Sequence, residues 1–302
     1  MPFVTTDDGV RLYYEEAGSG TPLIFVHEFA GDHRSWEPQV RFFARRYRCI
    51  VYSARGYPPS DVPSVGSAYS QARVWQDILC LMDSLHLAQA HLVGLSMGAF
   101  ACLHFGMHHG TQGQASRARS LTLAGCGTGS HPAVYEAFKT QSKILADDIQ
   151  AHGARHLADT YGMGPSRLQF QAKDPRGFAE FHQRLAEHSA LGSALTSRGY
   201  QGERPSLYAL TDQIARINVP TLVMTGDEDE PCLEPSLLLK RTITTAVLAM
   251  LPGSGHAINL EEPQWFNQFL AEFLAQVEQG WNFVRPALTR PESVWGPAGD
   301  PR

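Results

Sequence analysis

Ser96 is the residue of this chain whose type and neighbours point most directly to chemistry. It is the central residue of the pentapeptide GLSMG (residues 94–98), between an apolar run and a helix-prone stretch. A serine on such a strand-to-helix turn needs a strained, positive-φ backbone, and the turn leaves room only for glycine two residues before and after it. The hydroxyl then lies at a helix N-terminus, where partial positive charge favours a developing anion. We predict that Ser96 is a nucleophile; the alternative is a tight turn whose serine only satisfies the backbone.

A nucleophilic serine needs a general base, and the base needs an acid that orients it. A predicted strand at 220–225 ends in the acidic turn GDEDEP, and a predicted strand at 246–251 leads into GSGHA, which contains His256. In open α/β sheets, loops at the carboxyl ends of strands form the binding crevice. We therefore expect Ser96, an acid and His256 to meet at one edge of a sheet. The residues alone leave Asp227 and Asp229 open as the acid.

On these three turns the chain resembles the lid-bearing serine esterases and lactonases of the α/β-hydrolase fold, from about Thr21 to Gln279. The resemblance implies an α/β architecture: a mostly parallel eight-stranded sheet flanked by helices, with a helical lid inserted after the sixth strand. It also implies a catalytic triad of Ser96, Asp229 and His256. Asp229 is favoured because the family places its acid three residues after the glycine of that turn.

The resemblance further implies an oxyanion hole, which requires two preorganised N–H donors. One donor would be the backbone N–H of Met97, directly after the nucleophile. Relatives read His-Gly-x after an early strand, where the third residue supplies the second donor. This chain reads His27-Glu28-Phe29, which assigns the second donor to Phe29.

Glu28 stands where the family pattern has glycine, and two interpretations follow. In the first, which we prefer, the carboxylate points away from the site and pairs with a cation, for which Arg55 and Arg34 are the candidates. In the second, Glu28 selects substrates or tunes the catalytic histidine. Glu28 and His27 are accordingly predicted as candidate substrate-binding residues.

The predicted elements divide the chain into a core, a lid and a tail. The core comprises residues 1–127 and 217–280, and begins with a hairpin formed by residues 3–6 and 10–14. Its further strands are predicted at 22–27, 48–53, 90–95, 120–125, 220–225 and 246–251. Residues 128–216 are predicted to form the lid, with helices at 133–150, 152–161 and 174–191. Residues 281–302 are rich in proline and predicted to be an extended or disordered tail.

Several lid side chains are candidates for the ceiling of an apolar pocket. Tyr161 and Met163 are predicted to contact substrate, and Phe170, Phe178 and Phe181 are further candidates. At least half of these side chains are expected to pack the lid onto itself instead.

Composition excludes several classes of protein. The 302 residues have 43% hydrophobic content and a formal net charge of −5, which gives no electrostatic footprint for nucleic acid. No apolar run approaches the ~18 residues of a membrane span, and the N-terminus lacks a signal-peptide pattern, so we expect a cytoplasmic protein. Five dispersed cysteines argue against disulfides and structural zinc. No cofactor or metal is expected, and the sequence does not predict the oligomeric state.

Thirteen histidines raise the possibility of a metal site elsewhere. His152 and His156 are four residues apart on a predicted helix and would bind zinc if an acid joined them. We interpret them as surface histidines.

The favoured function is hydrolysis of a carboxylic ester of a small to medium, largely apolar molecule through an acyl-enzyme intermediate. The alternative is an enol-lactone or C–C bond hydrolase that acts on aromatic ring-cleavage products. C–C hydrolases of this fold often carry an aromatic residue soon after the histidine, whereas Ala257 follows here. A ligand-binding receptor with an idle triad is a third interpretation.

Overall fold

An eight-stranded sheet runs through the part of the chain that the computed structural model describes, residues 2–111 and 116–284. The strands are β1 Phe3–Thr5, β2 Arg11–Ala17, β3 Thr21–Val26, β4 Tyr47–Tyr52, β5 Ala90–Leu95, β6 Ala118–Ala124, β7 Thr221–Gly226 and β8 Ala246–Leu251. Each predicted strand is present, with ends that differ by no more than a few residues.

The strand order is β1-β2-β4-β3-β5-β6-β7-β8. β1 pairs with β2 and β2 with β4 in antiparallel fashion, and all other neighbours are parallel. The predicted fold class, a mostly parallel eight-stranded α/β sheet, is confirmed. Parallel pairing brings the carboxyl ends of β3, β5, β7 and β8 to one edge, where the candidate site residues follow.

Helices cover both faces of this sheet. They are α1 Glu37–Phe43, α2 Gln71–Ser84, α3 Met97–His109, α4 Tyr135–Asp159, α5 Leu168–Lys173, α6 Pro175–Ala186, α7 Ala190–Leu195, α8 Thr211–Ile214, α9 Glu230–Thr242, α10 Ile258–Glu261 and α11 Pro263–Glu278. None of the helices described here combines the length and the apolar character that a bilayer crossing requires.

Two apolar cores flank the sheet, because its central strands bury side chains on both faces. On one face Ile24 and Leu92 pack with Ile78 of α2 and the side chains of α3. On the other, the Trp36 ring lies between those of Phe25 and Phe266, with ring centroids 5.1 Å and 5.9 Å away respectively. Both cores hold the sheet edge that carries the site in a fixed position.

The inserted segment, residues 128–216, lies between β6 and β7 and contains α4 to α8. The two helices predicted at 133–150 and 152–161 are parts of α4, which is interrupted at Gly153. α4 packs on α6 and α7. Of the predicted tail, residues 285–302 lie outside the described residues, and Phe283 packs on Phe273 of α11 with ring centroids 5.2 Å apart.

Candidate active site

Ser96 occupies a strained turn between β5 and α3. Its backbone has φ 52° and ψ −113°, a conformation that L-residues rarely adopt. The turn is held in place because the Ser96 N–H donates to Ala124 O at 2.8 Å and the Phe100 N–H donates to Ser96 O at 3.0 Å. Such strain persists only where the surroundings determine it, and it is concentrated at functional sites. The predicted positive-φ serine is therefore present.

The two glycines of the pentapeptide are required by close backbone approach. A Cβ at Gly94 would lie 2.3 Å from Gly98 O, and one at Gly98 would lie 2.1 Å from Val26 O. Both distances are far inside van der Waals contact, and the obstacles are backbone atoms that cannot move aside. The prediction that this turn has room only for glycine at both positions is confirmed, and the second glycine lets the start of α3 approach the end of β3.

His256 and Asp229 form a buried hydrogen-bonded pair at the ends of β8 and β7. His256 Nδ1 lies 2.7 Å from Asp229 Oδ2, and both residues are buried. The other acid of the turn, Asp227, instead accepts a hydrogen bond from the Ser254 N–H at 3.2 Å. Of the two acids that the sequence left open, Asp229 is the one that contacts His256.

The pair shifts the protonation of both partners. Burial disfavours the charged imidazole, but the Asp229 carboxylate beside it outweighs burial and raises the pKa of His256. Burial likewise opposes the charged carboxylate, but His256 holds the pKa of Asp229 below its ordinary value. An anion fixed on Nδ1 leaves Nε2 as the nitrogen that exchanges a proton with a partner.

Ser96, Asp229 and His256 line one cavity of about 290 Å³ under the inserted segment. Its apolar lining comes from Phe138, Leu145, Tyr161 and Pro231. Its remaining lining is uncharged and polar: Thr128, Gln141, Ser142, Ser166, Ser197 and Gln201. A second, larger cleft of about 530 Å³ shares none of these residues. We assign the candidate site to the smaller cavity because Ser96, Asp229 and His256 line it.

Met97 and Phe29, the predicted oxyanion donors, are each fixed through their carbonyl groups by a buried tyrosine. The Tyr200 hydroxyl donates to Met97 O at 2.6 Å, and the Tyr57 hydroxyl donates to Phe29 O at 3.0 Å. Met97 begins α3, and N–H groups of a first helical turn have no carbonyl partner within the helix. Phe29 also contacts the Tyr161 ring edge-on, with centroids 5.5 Å apart.

Glu28 is buried and paired, but not with the predicted cations. Its carboxylate accepts a hydrogen bond from the buried Arg167 of the inserted segment. The expectation of Arg55 or Arg34 was wrong, because Arg55 binds Asp77 and Asp8 and Arg34 binds Asp32 and Glu187.

The backbone at Glu28 also does not need glycine. Among the described residues the non-glycine positions with positive φ are His86, Ser96 and Phe283. A glutamate therefore fits position 28 without backbone strain, and its carboxylate reaches across to the inserted segment.

The other candidate substrate-binding residues differ in their surroundings. Tyr161 lines the cavity. His27 does not, because its Nε2 accepts the Ala54 N–H at 3.0 Å and its Nδ1 lies 2.6 Å from Glu28 O. Both ring nitrogens of His27 therefore bind backbone groups. We assign His27 a structural role in place of the predicted substrate contact. Met163 is 41% exposed on the outer surface and is not among the lining residues.

The predicted aromatic ceiling is mostly a small core within the inserted segment. Phe170, Phe178 and Phe181 pack on one another with ring centroids 5.7–5.9 Å apart. Tyr161 is the member of the predicted group that faces the cavity. As expected, at least half of the group packs the segment onto itself.

Sequence reasoning missed the groups that hold the His256 loop. The Glu261 carboxylate accepts the N–H groups of Gly255 at 2.6 Å and Ala257 at 2.9 Å, on either side of the histidine. The His256 N–H donates to Ser166 O at 3.3 Å. A Gly-x-Gly-His turn followed by a short acidic helix was the available signal for Glu261, whereas nothing in the sequence pointed to Ser166.

A sequence profile of the α/β-hydrolase fold matches residues 21–263, which is most of the chain. The chain belongs to the α/β-hydrolase-fold family. Among curated relatives, this α/β hydrolase is 25% identical over 286 residues to 3-oxoadipate enol-lactonase 1 of Acinetobacter baylyi, covering 91% of this chain and 97% of that protein. It is 26% identical over 293 residues to a non-heme haloperoxidase of Rhodococcus erythropolis, covering 91% and 99%.

Among solved structures, this α/β hydrolase is similar to a thermophilic esterase from Thermogutta terrifontis. The TM-score is 0.78 at 25% sequence identity, with 91% of this chain and 98% of that chain covered. The relatives thus include lactone, ester and haloperoxidase enzymes on one fold. Their names support a hydrolase without selecting a substrate.

Proposed function

We propose that this α/β hydrolase cleaves carboxylic esters by nucleophilic catalysis at Ser96. The observation that supports the proposal most strongly is the buried His256–Asp229 pair beside a serine whose strained backbone turns it into the same cavity. In the proposed reaction His256 takes the Ser96 proton as the hydroxyl attacks the ester carbonyl. The alkoxide leaves with that proton, and an acyl-enzyme remains. Water activated by His256 then releases the acid.

The N–H groups of Phe29 and Met97 are proposed to bind the oxyanion of both tetrahedral intermediates. This assignment is supported by the buried tyrosines, which bind the carbonyl groups of Phe29 and Met97 and so restrain the backbone on the C-terminal side of each donor residue. Preorganised donors of this kind supply much of the rate enhancement in acyl transfer, about 2.7–4 kcal/mol for one donor.

The cavity favours a small ester over an anionic substrate. Its volume of about 290 Å³ is at the lower end of small-molecule sites, and its lining mixes apolar and uncharged polar groups. Among the described residues that line it there is no lysine or arginine, and Asp229 adds negative charge. We therefore propose esters of short acyl chains. In this reaction the inserted segment would act as a lid, since it supplies most of the lining.

Enol-lactone hydrolysis is the second candidate, favoured by the similarity to the Acinetobacter enol-lactonase. The same serine, histidine and donors would open a ring ester, so the chemistry does not separate the two candidates. Substrate charge does, because adipate derivatives carry carboxylates that this cavity lining does not neutralise.

The test is pre-steady-state hydrolysis of p-nitrophenyl acetate. We expect a burst of one p-nitrophenol per chain, and its loss together with a drop of about 10⁶-fold in kcat in Ser96→Ala. Ser120→Ala is the matched control, because Ser120 is a buried serine that bonds His91 at 2.7 Å within the sheet, outside the cavity. A full burst in Ser96→Ala would refute the proposal, and tight binding of the ester with no burst in the wild type would indicate a receptor.

A substrate panel then separates the two candidates. We expect kcat/KM to fall from acetate to octanoate esters, and to be higher for neutral esters than for a carboxylated enol-lactone. The opposite order would favour the lactonase.

A further inference from the structure

α4 carries a cluster of three metal-ligating side chains far from the catalytic residues in sequence. His152 Nδ1 lies 2.8 Å from Asp148 Oδ1, and His156 Nε2 lies 3.0 Å from Asp148 Oδ2. The two imidazole rings are 4.7 Å apart. Asp148 thus provides the acidic ligand that a zinc site at His152 and His156 would require.

The cluster exists because α4 is broken inside it. In a straight helix, residues 148 and 156 would be separated by about 12 Å along the axis, beyond the reach of a direct hydrogen bond between these side chains. Gly153 interrupts the helix with φ 85° and ψ 177°. The break turns the second half of α4 so that His156 returns to the carboxylate bonded by His152.

We propose that Asp148, His152 and His156 form a zinc site. One ligand atom of each residue lies within 4.8 Å of those of the other two. Zinc bonds of about 2.0–2.2 Å in tetrahedral geometry separate ligand atoms by roughly 3.3 Å, so a small outward rotation of these side chains admits the ion. Two imidazoles and a carboxylate are a common zinc ligand set, and water would complete the coordination.

Solvent access and charge both suit an exchangeable ion. The three side chains are 36–57% exposed, so zinc enters without unfolding the segment. The carboxylate provides one negative charge, and neutral imidazoles provide the remaining bonds. Bound zinc would join the two halves of α4 across Gly153. The second half leads to Tyr161, so the ion would stabilise the part of the segment that reaches the cavity.

Isothermal titration of the full chain with zinc chloride tests the proposal. We expect one site per chain that His156→Ala and Asp148→Asn each weaken at least tenfold. His131→Ala is the matched control. His131 pairs with Glu234 at 3.1 Å on the surface, but this pair offers only two possible zinc ligands. The zinc affinity of this variant should equal that of the wild type. Zinc should also raise the thermal unfolding midpoint of the wild type more than that of Asp148→Asn.

Gly153→Ala tests the geometry without removing a ligand. A Cβ at Gly153 has no heavy atom within 4 Å, so the substitution acts through the positive φ alone. We expect weaker zinc binding with all three ligands intact. Asp229, Cys232 and His256 are the other such group among the described residues, and Cys232→Ser probes it. Binding that survives in Asp148→Asn and His156→Ala but is lost in Cys232→Ser would overturn the proposal, as would no stoichiometric binding at all.

Discussion

The hydroxyl of Tyr200 donates a 2.6 Å hydrogen bond to the carbonyl oxygen of Met97. Tyr200 belongs to the inserted segment, and Met97 is the first residue of α3, directly after Ser96. A side chain of the segment thus fixes the backbone that carries the proposed nucleophile and one oxyanion donor. In the proposed mechanism the segment therefore positions the reacting backbone, in addition to lining the cavity.

Tyr200→Phe should lower kcat for p-nitrophenyl acetate by about tenfold with little change in KM. The lost bond allows the first turn of α3 to relax, and a loss of ~1.4 kcal/mol in transition-state stabilisation is a tenfold change in rate. Tyr69→Phe is the control, because it removes a similar bond, to Pro63 O at 2.8 Å, outside the cavity. Equal kcat values for the two variants would contradict a role for Tyr200 in positioning.

The pH dependence of kcat/KM should reflect the ionisation of His256. The base must be neutral, and the Asp229 carboxylate raises the pKa of His256 above the ordinary 6.5. We expect kcat/KM to rise with pH through a midpoint above 6.5. In Asp229→Asn, burial remains while the anion is gone, so the midpoint should move to lower pH and the rate should fall roughly 10⁴-fold. A midpoint that does not move in Asp229→Asn would place the titrating group elsewhere.

Glu28 and Arg167 should be strongly coupled in stability. Each is buried, and removing one charge leaves the other uncompensated, at a cost of about 3–5 kcal/mol. Glu28→Gln and Arg167→Met should each lower the free energy of unfolding by that amount, and the double variant by much less than the sum. Urea denaturation measures this cycle.

Arg11→Met is the control for that cycle. Arg11 pairs with Asp61 at 2.8 Å with 60% of its side chain exposed, and an ion pair this exposed contributes little to stability because water and salt screen it. Additive losses in the Glu28–Arg167 double variant would show that the two charges do not depend on each other.

Glu261 should matter to catalysis through the loop that it holds. Its carboxylate accepts two N–H groups that flank His256, and hydrogen bonds to a charged group contribute about 1.5–3 kcal/mol each. Glu261→Gln keeps one acceptor oxygen, so we expect about a tenfold loss of kcat/KM and a shifted acid limb. Glu262→Gln, which removes the partly exposed partner of Lys173, should change neither kcat/KM nor the acid limb. Wild-type kinetics in Glu261→Gln would refute the assignment.

The sheet was predictable because its signals are local. Short runs rich in Val, Ile and Leu predicted six of the strands, and the turn Asp7-Asp8-Gly9 predicted the hairpin of the first two. The glycines beside Ser96 predicted a turn with room for nothing larger. That the serine, the acid and the histidine would follow strands ending at one edge of the sheet could be predicted, because parallel strands place their carboxyl ends there.

The partners across the inserted segment were not predictable, because they depend on how that segment folds back. Glu28 and Arg167 are 139 residues apart in the chain, and no periodicity relates them. Asp148 and His156 meet only because Gly153 breaks the helix, which a regular helical period does not describe. Tyr57 and Tyr200 act through backbone carbonyls, for which the sequence carries no specific signal.

The backbone of Ser96 has a consequence for how this enzyme could be adapted. A non-glycine residue in such a sparsely populated conformation costs of order 1–3 kcal/mol, and glycine at the same position would release it. Selection for heat tolerance alone therefore favours loss of the hydroxyl, whereas selection for turnover by the proposed mechanism retains it. Directed evolution of this enzyme therefore has to screen thermal stability and turnover together, since selection for each favours a different residue at position 96.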